Sequence, residues 1–242
     1  MPSVLTMLAI IGGTVIFSLP LLKDKRAEML CTKYGKAFFY SFDNLIILNR
    51  HGVDKNIPPH CIDYAANLGA IKSLGVKKVI ALNSCGSLKK EIKPGTFIVP
   101  DDYLNFDTIT IFGNKIKHIT PMFDKMLIKT CIQALKELNL SFRNKGIYAQ
   151  TRGPRFETRA EVNLLRDYAD IVGMTLAKEA TIARELGLKY ASICSIDNYA
   201  NGVASRALSY KLIKENAKKN LPLWEKIINK IAILEDSIFT RS

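Results

Sequence analysis

Short apolar runs alternate along this chain with stretches of helical period, and each run stops on small or polar residues. That alternation limits the fold more than any other feature. Strands separated by helices long enough to cross over build a mostly parallel sheet covered on both faces. Strands are expected at Met7 to Ile11, Leu45 to Asn49, Lys78 to Asn83, Phe97 to Val99, Lys145 to Gln150, Asp170 to Gly173 and Lys189 to Ser195. Between them, Tyr64 to Leu74, Lys125 to Leu138, Arg159 to Tyr168 and Ala177 to Leu186 read as helices, and the chain is mainly helical from about Ser205. Ala37 to Phe42 is expected to pair with Leu45 to Asn49 as a hairpin turning at Asp43-Asn44. No repeat, low-complexity tract or Pro/Gly/Ser linker divides the 242 residues. The expected architecture is α/β: a single domain over residues 1–242, with a twisted, mixed, mostly parallel central sheet flanked by helices.

In such sheets a ligand lies off the carboxyl ends of the strands. Six polar clusters are expected there: Gly12-Gly13-Thr14, Arg50-His51, Asn83-Ser84, Phe156-Glu157, Met174-Thr175 and Asn198. Thr14, Ser84 and Thr175 supply hydroxyls and turn N–H groups of the kind that cradle phosphate, and Arg50 adds a charged fork. A Gly-Gly-Thr turn taken alone is most often only a turn, and a lone His51 a structural residue; its place beside Arg50 favours anion binding. Neither the dinucleotide fingerprint nor a Walker loop is present. There is no Gly-x-Ser-x-Gly elbow, and Cys85 has no His close in sequence. An anion cradle without a covalent nucleophile suggests that phosphate itself attacks.

The segment Gly153-Pro154-Arg155-Phe156-Glu157-Thr158-Arg159-Ala160-Glu161 supplies a second kind of chemistry. Thr158 followed three residues later by Glu161 has the form of a capping box. The residues before it put an aromatic ring beside a carboxylate at the helix mouth, where the ring can stack on a flat heterocycle and the acid can accept its N–H groups. A well-capped helix with Phe156 in the core accounts for the same residues.

A formal charge of +13 admits nucleic acid, a membrane surface or an anionic small substrate. The lysines are scattered as Lys77-Lys78, Lys89-Lys90 and Lys218-Lys219, with no basic run interleaved with aromatics. Nucleic acid is therefore not the expected partner. Five widely separated cysteines without a Cys-x-x-Cys pair point to reduced thiols in the cytoplasm, and three histidines argue against a metal site. Residues 1–22 are uncharged but lack a basic start, and Gly12-Gly13 interrupts their apolar centre. They read as a buried first strand rather than a membrane segment.

Taken in order, Ile10-Ile11-Gly12-Gly13-Thr14, Asn49-Arg50-His51-Gly52, Asn83-Ser84-Cys85-Gly86-Ser87-Leu88, the Gly153–Glu161 segment, and Gly173-Met174-Thr175 followed by Glu179 resemble the trimeric purine nucleoside phosphorylase and methylthioadenosine phosphorylase family. The match runs from about residue 8 to residue 220. It implies reversible phosphorolysis of a purine nucleoside, with phosphate as co-substrate, no cofactor, and a homotrimer or hexamer. By position, Thr14, Arg50, His51, Asn83, Ser84 and Thr175 would hold phosphate and Met174 would face the ribose. Phe156, Glu157 and Asn198, with the Cys85-Gly86 backbone, would form the base pocket. Glu157 and Asn198 are the expected catalytic residues. Asn198, where members acting on 6-aminopurines usually have Asp, implies a 6-oxopurine whose N1–H Glu157 accepts; Asp197 is close enough to complicate that reading. No His follows His118, and Val203, Ala204, Ala207, Leu208 and Leu212 are apolar at partly helical spacing. They could equally be helix core; lining the site, they would suit a 5′-methylthio group better than a hydroxyl, which keeps 5′-methylthioinosine a candidate beside inosine and guanosine. The departures are Lys55 for a common His, Arg152 for a small or acidic residue, Lys178 for a frequent Pro, and Val15-Ile16 after the glycine turn. The alternatives are methylthioadenosine phosphorylase proper, a hydrolase on the same fold, a nucleic-acid-binding module and a catalytically silent purine-binding protein.

Overall fold

The computed structural model describes residues 7–239 except 14–15, 17–18, 55 and 206–207. Eleven strands form one sheet. In chain order they are β1 (Leu8–Gly12), β2 (Glu28–Thr32), β3 (Gly35–Ser41), β4 (Leu45–Asn49), β5 (Lys78–Ser87), β6 (Phe97–Ile98), β7 (Asp102–Leu104), β8 (Phe142–Arg143), β9 (Ile147–Gln150), β10 (Ile171–Gly173) and β11 (Lys189–Tyr199). The helices are α1 (Tyr64–Ser73), α2 (Lys125–Glu137), α3 (Arg159–Leu165), α4 (Leu176–Glu185), α5 (Tyr210–Lys219) and α6 (Leu221–Phe239). Six of the ten strand pairings among the described residues are parallel. The sheet is mixed because hairpin partners run antiparallel, as in β2–β3–β4, and because β10 meets β5 antiparallel.

Residues on β1 divide between two cores, as a strand covered on both faces requires. Ala9 and Ile11 pack toward α1 and α4, whereas Leu8 and Ile10 pack toward α2 and α6. Trp224 of α6 meets Phe97 edge-on, with ring centroids 5.1 Å apart. A smaller cluster of Leu88, Ala149, Val162, Ala169, Val172, Ala200 and Val203 lies under α3. Val203, one of the apolar residues for which both a core place and a sugar-side place were open, is part of that core.

Two strands run further than their sequence suggests. β5 continues through Asn83-Ser84-Cys85-Gly86 to Ser87, and β11 through Asp197-Asn198 to Tyr199. The polar clusters at 83–84 and 198 therefore lie within strands, not beyond their ends. Pairing supplies the reason. β11 accompanies β5 along both halves, with an irregularity between Ile196 and Asn198. On the other edge of β5, β1 stays paired only as far as Leu82, and β10 joins from the opposite direction at Gly86. Asn83, Ser84 and Cys85 thus have a strand neighbour on one side only. β1 ends at Gly12 and β10 at Gly173, so the carboxyl ends of two strands close on this gap from opposite directions.

Candidate active site

The flank of the gap where an anion cradle is expected is held together by one buried cation. Arg50 follows β4, is 2% exposed, and donates through Nε and Nη2 to the two carboxylate oxygens of Glu179 on α4, each at 3.1 Å. Its Nη1 donates to the Leu82 carbonyl at 2.9 Å and its Nη2 also to the Ile11 carbonyl. Of the five N–H groups of a guanidinium, one on Nη1 remains. The fork expected for oxyanions is therefore turned mainly on Glu179. Burial disfavours the cation, and Glu179 more than offsets it, so the guanidinium stays charged. Tyr190 completes the carboxylate's shell, donating its hydroxyl to Oε2 at 2.9 Å.

His51 lies beside this pair. Its Nδ1 sits 2.8 Å from the Ile57 carbonyl, so Nδ1 carries the hydrogen and Nε2 is left as an acceptor. Burial first and Arg50 second push its pKa below the usual imidazole value, which keeps the ring neutral. Gly13 explains why these groups can reach a ligand. A Cβ at that position would lie 3.2 Å from His51 Nε2 and 3.3 Å from Arg50 Nη1. With no side chain there, a small anion has room against both.

Across the gap, Asn83 Nδ2 donates to Thr175 Oγ1 at 3.0 Å, while Asn83 Oδ1 accepts from Ser192. Among the described residues the Thr175 hydroxyl hydrogen meets no acceptor, so it can be offered to an anion. The first N–H groups of α4 are occupied: Tyr148 takes those of Thr175 and Leu176, and Gln150 those of Ala177 and Lys178. The expected cradle is therefore hydroxyl and gap backbone, not a helix end. Ser84 is exposed and its hydroxyl donates to Asp197. Thr14 lies outside the described residues, as do Val15, Lys55 and Ala207.

The segment expected to face the base leads into α3. The capping box is present, with Thr158 Oγ1 accepting from the Glu161 N–H and Glu161 accepting from the Thr158 N–H. Arg155 forks onto Glu161, and with the cap it holds that carboxyl down at about 2. Glu157 stands just outside the cap and is 5% exposed. Thr151, at the end of β9, donates to its Oε1 at 2.6 Å, and Asn201 Nδ2 donates to its carbonyl at 3.1 Å. Among the described residues, no donor reaches the second carboxylate oxygen of Glu157. Phe156 is half-buried, its ring centroid 6.4 Å from that of Tyr210 on α5. Thr151, Asn201 and Tyr210 were not evident in the sequence, because only the fold brings β9, the 201 loop and α5 to one place.

Asn198 Nδ2 donates to the Tyr199 carbonyl at 2.8 Å and would lie 3.1 Å from a Cβ at Gly86. Gly86 leaves space for the amide, and the amide retains a second N–H. Cys85 is buried, and burial pushes its thiol well up, so it stays protonated. That agrees with a backbone role for Cys85 rather than a nucleophilic one. A cavity of about 390 Å³ opens against Thr151, Arg152, Gly153 and Glu157. A second, of about 420 Å³, is lined by Pro59, His60, Tyr64, Ile109 and Lys178. Met174 touches both walls. A Cβ on Gly153 would fall 2.5 Å from its sulfur, and the Tyr64 hydroxyl lies 3.5 Å from its carbonyl. Lys178 pairs with Asp107 at the rim of the second cavity.

The chain matches the family model described as the phosphorylase superfamily over residues 7–232. It is 42% identical to an Archaeoglobus fulgidus protein named "Probable 6-oxopurine nucleoside phosphorylase", covering 93% of this chain and 97% of that one. A Methanocaldococcus jannaschii protein named "Probable S-methyl-5'-thioinosine phosphorylase" is 40% identical, with 92% of each chain covered. Among solved structures, the methylthioadenosine phosphorylase of Schistosoma mansoni in complex with adenine superposes with a TM-score of 0.84 at 27% identity, covering 95% of this chain and 91% of that one.

Proposed function

Because the chain belongs to the phosphorylase superfamily, we propose that it cleaves purine nucleosides by reversible phosphorolysis, prefers 6-oxopurines, and releases free base and a ribose 1-phosphate. It is a pentosyltransferase. The observation that carries the reading is the two-sided gap in β5, with a cation-bearing cradle on one flank and a ring-and-carboxylate platform on the other. As the C1′–N9 bond breaks, the sugar becomes oxocarbenium-like and the purine gains negative charge. Phosphate beside the sugar stabilises the cation and attacks C1′, while the free N–H of Asn198 supports N7 of the leaving base. His51 Nε2 can accept a hydrogen from a protonated phosphate oxygen, and Thr175 and Arg50 Nη1 can donate to the others. Phosphate is the co-substrate, and the reaction as written needs no metal or cofactor.

Glu157 is the residue assigned to base choice. Thr151 holds one of its oxygens, and the other, which no described residue takes, can accept the N1–H that hypoxanthine and guanine have and adenine lacks. A hydrogen bond to a charged group contributes about 1.5–3 kcal/mol. Glu157→Gln is therefore expected to lower kcat/KM for inosine by about 10- to 100-fold and to leave adenosine turnover nearly unchanged. Equal losses on both nucleosides would remove Glu157 from that role.

The decisive assay is a panel of inosine, guanosine, 5′-methylthioinosine, adenosine and 5′-methylthioadenosine, each with and without phosphate. Phosphate-dependent release of hypoxanthine or guanine is expected; equal turnover without phosphate would sink phosphorolysis. A preference for the adenine nucleosides would favour methylthioadenosine phosphorolysis, the reaction named for a 35% identical Pyrococcus horikoshii relative. The assembly we propose is a homotrimer or a pair of trimers in the cytoplasm, with sites near subunit interfaces. Its support is the exposed apolar set Phe106, Ile116, Met122 and Met126 on and beside the long segment between β7 and α2. Among the described residues no helix is long and apolar enough to cross a membrane.

A further inference from the structure

Asp197 stands one residue before Asn198, the proposed N7 donor, and is wholly buried, yet no step above uses it. One carboxylate oxygen accepts the Ser84 hydroxyl, and the other accepts Asn220 Nδ2 at 2.9 Å. Its backbone carbonyl accepts Asn216 Nδ2 at 2.8 Å. These donors come from separate parts of the fold. Ser84 lies in the open stretch of β5, Asn216 is on α5, and Asn220 is the single residue joining α5 to α6. The first turn of α5 carries Tyr210, the ring that faces Phe156. Through its carboxylate and its backbone carbonyl, one residue therefore joins the open stretch of β5 to α5 and to the residue that follows it.

The choice of an acid here is not explained by packing. Among the described residues, the groups around the carboxyl are the Ser84 and Ser195 hydroxyls, the Asn220 amide and the buried Cys85 thiol, with no cation among them. Burial pushes it up to about 6, and the three hydrogen-bond donors only partly oppose that rise. A folded value above the ordinary 3.8 means that this group favours the fold most at low pH. The benefit is lost as pH rises through about 6, so at neutral pH the carboxylate weakens the fold. A neutral residue would serve packing better.

We propose that Asp197 is a positioning residue for phosphorolysis, a clamp that sets Ser84 in the anion cradle and α5 over the purine platform as one unit. The inference rests on the phosphorolysis reading. In the clamped state the one hydrogen of the Ser84 hydroxyl belongs to Asp197, so phosphate meets the Ser84 backbone and not a free hydroxyl donor. Asp197→Asn has nearly the same shape but turns an N–H toward Ser84 or Asn220, which breaks the all-acceptor arrangement.

The test uses the full chain. Asp197→Asn is expected to lower kcat/KM for inosine by about 10- to 100-fold, the scale of a misplaced reacting group. Its Tm should match or exceed that of the wild type at pH 8, with the difference closing toward pH 4. Unchanged kinetics would overturn the clamp, and so would a Tm at pH 8 that falls together with activity. Ser84→Ala and Asn220→Ala remove the donors to the two different carboxylate oxygens of Asp197. Their effects on kcat/KM are expected to be non-additive in the wild type and additive in the Asp197→Asn background. Additivity in both backgrounds would overturn the proposal. If the wild-type protein releases base equally well without phosphate, the phosphorolysis reading fails by itself, whatever the Asp197 variant does.

Discussion

Asn198→Ala is expected to lower kcat for inosine by about 10²–10³, the usual effect of removing a donor that serves a developing negative charge. The loss should fall on kcat more than KM, because N7 gains its charge only as the glycosidic bond breaks. The amide is already oriented before substrate arrives. Its Nδ2 donates to the Tyr199 carbonyl, and the missing side chain at Gly86 leaves it room. Asn198→Asp tests base choice at the same position. A protonated acid there can still donate to N7, and its second oxygen can accept from an exocyclic amine. That variant is expected to raise the adenosine-to-inosine ratio of kcat/KM by an order of magnitude or more. An unchanged ratio, or an alanine variant with normal kcat, would exclude Asn198 as the group that reads and stabilises the base. Gly86→Ala should reproduce part of the alanine defect, since its new methyl group would press on the amide.

Glu179→Ala is expected to destabilise the protein by about 3–5 kcal/mol, because it leaves Arg50 charged and unpaired in the core. At about 2–4 °C per kcal/mol for a chain of this size, Tm should fall by roughly 6–20 °C. Both partners are almost fully buried, and the pair joins the residue after β4 to α4 across the anion side of the gap. Phosphate affinity should fall with it, since the remaining Nη1 N–H is aimed by the bonds to Glu179. Replacing both partners with apolar residues of similar volume should recover much of the stability and none of the phosphate affinity. Thermal melts and phosphate KM on the single and double variants separate these effects. A Glu179→Ala protein that melts like the wild type would show that the pair does not anchor the cradle.

The wider site was legible wherever one short segment carries its own chemistry. The capping box at Thr158 and Glu161 forms as its spacing implies, because both of its bonds lie within one helical turn. The ends of β1, β4 and β10 fall where Gly12, Asn49 and Gly173 place them. Residues 83–87 and 197–199 were harder to read. Their small and polar residues look like strand ends, and only pairing with each other and with β10 keeps them extended. The edge strands β2, β7 and β8 give weak signals for a related reason: they are short or half-exposed, with little apolar alternation.

Alternating periods and the ordered polar motifs were enough to specify an α/β sheet and the family membership that follows from them. Local spacing encodes strands, caps and functional groups directly. Partner choice between distant segments does not appear in it. The Arg50 fork closes on Glu179, 129 residues away, instead of standing open to solvent. Thr151 takes one oxygen of Glu157, and Tyr210 arrives beside Phe156 from a helix 54 residues later in the numbering. Asp197 gathers Ser84, Asn216 and Asn220. Each of these depends on which buried polar groups must find partners once the sheet has closed, and burial is a property of the packed fold.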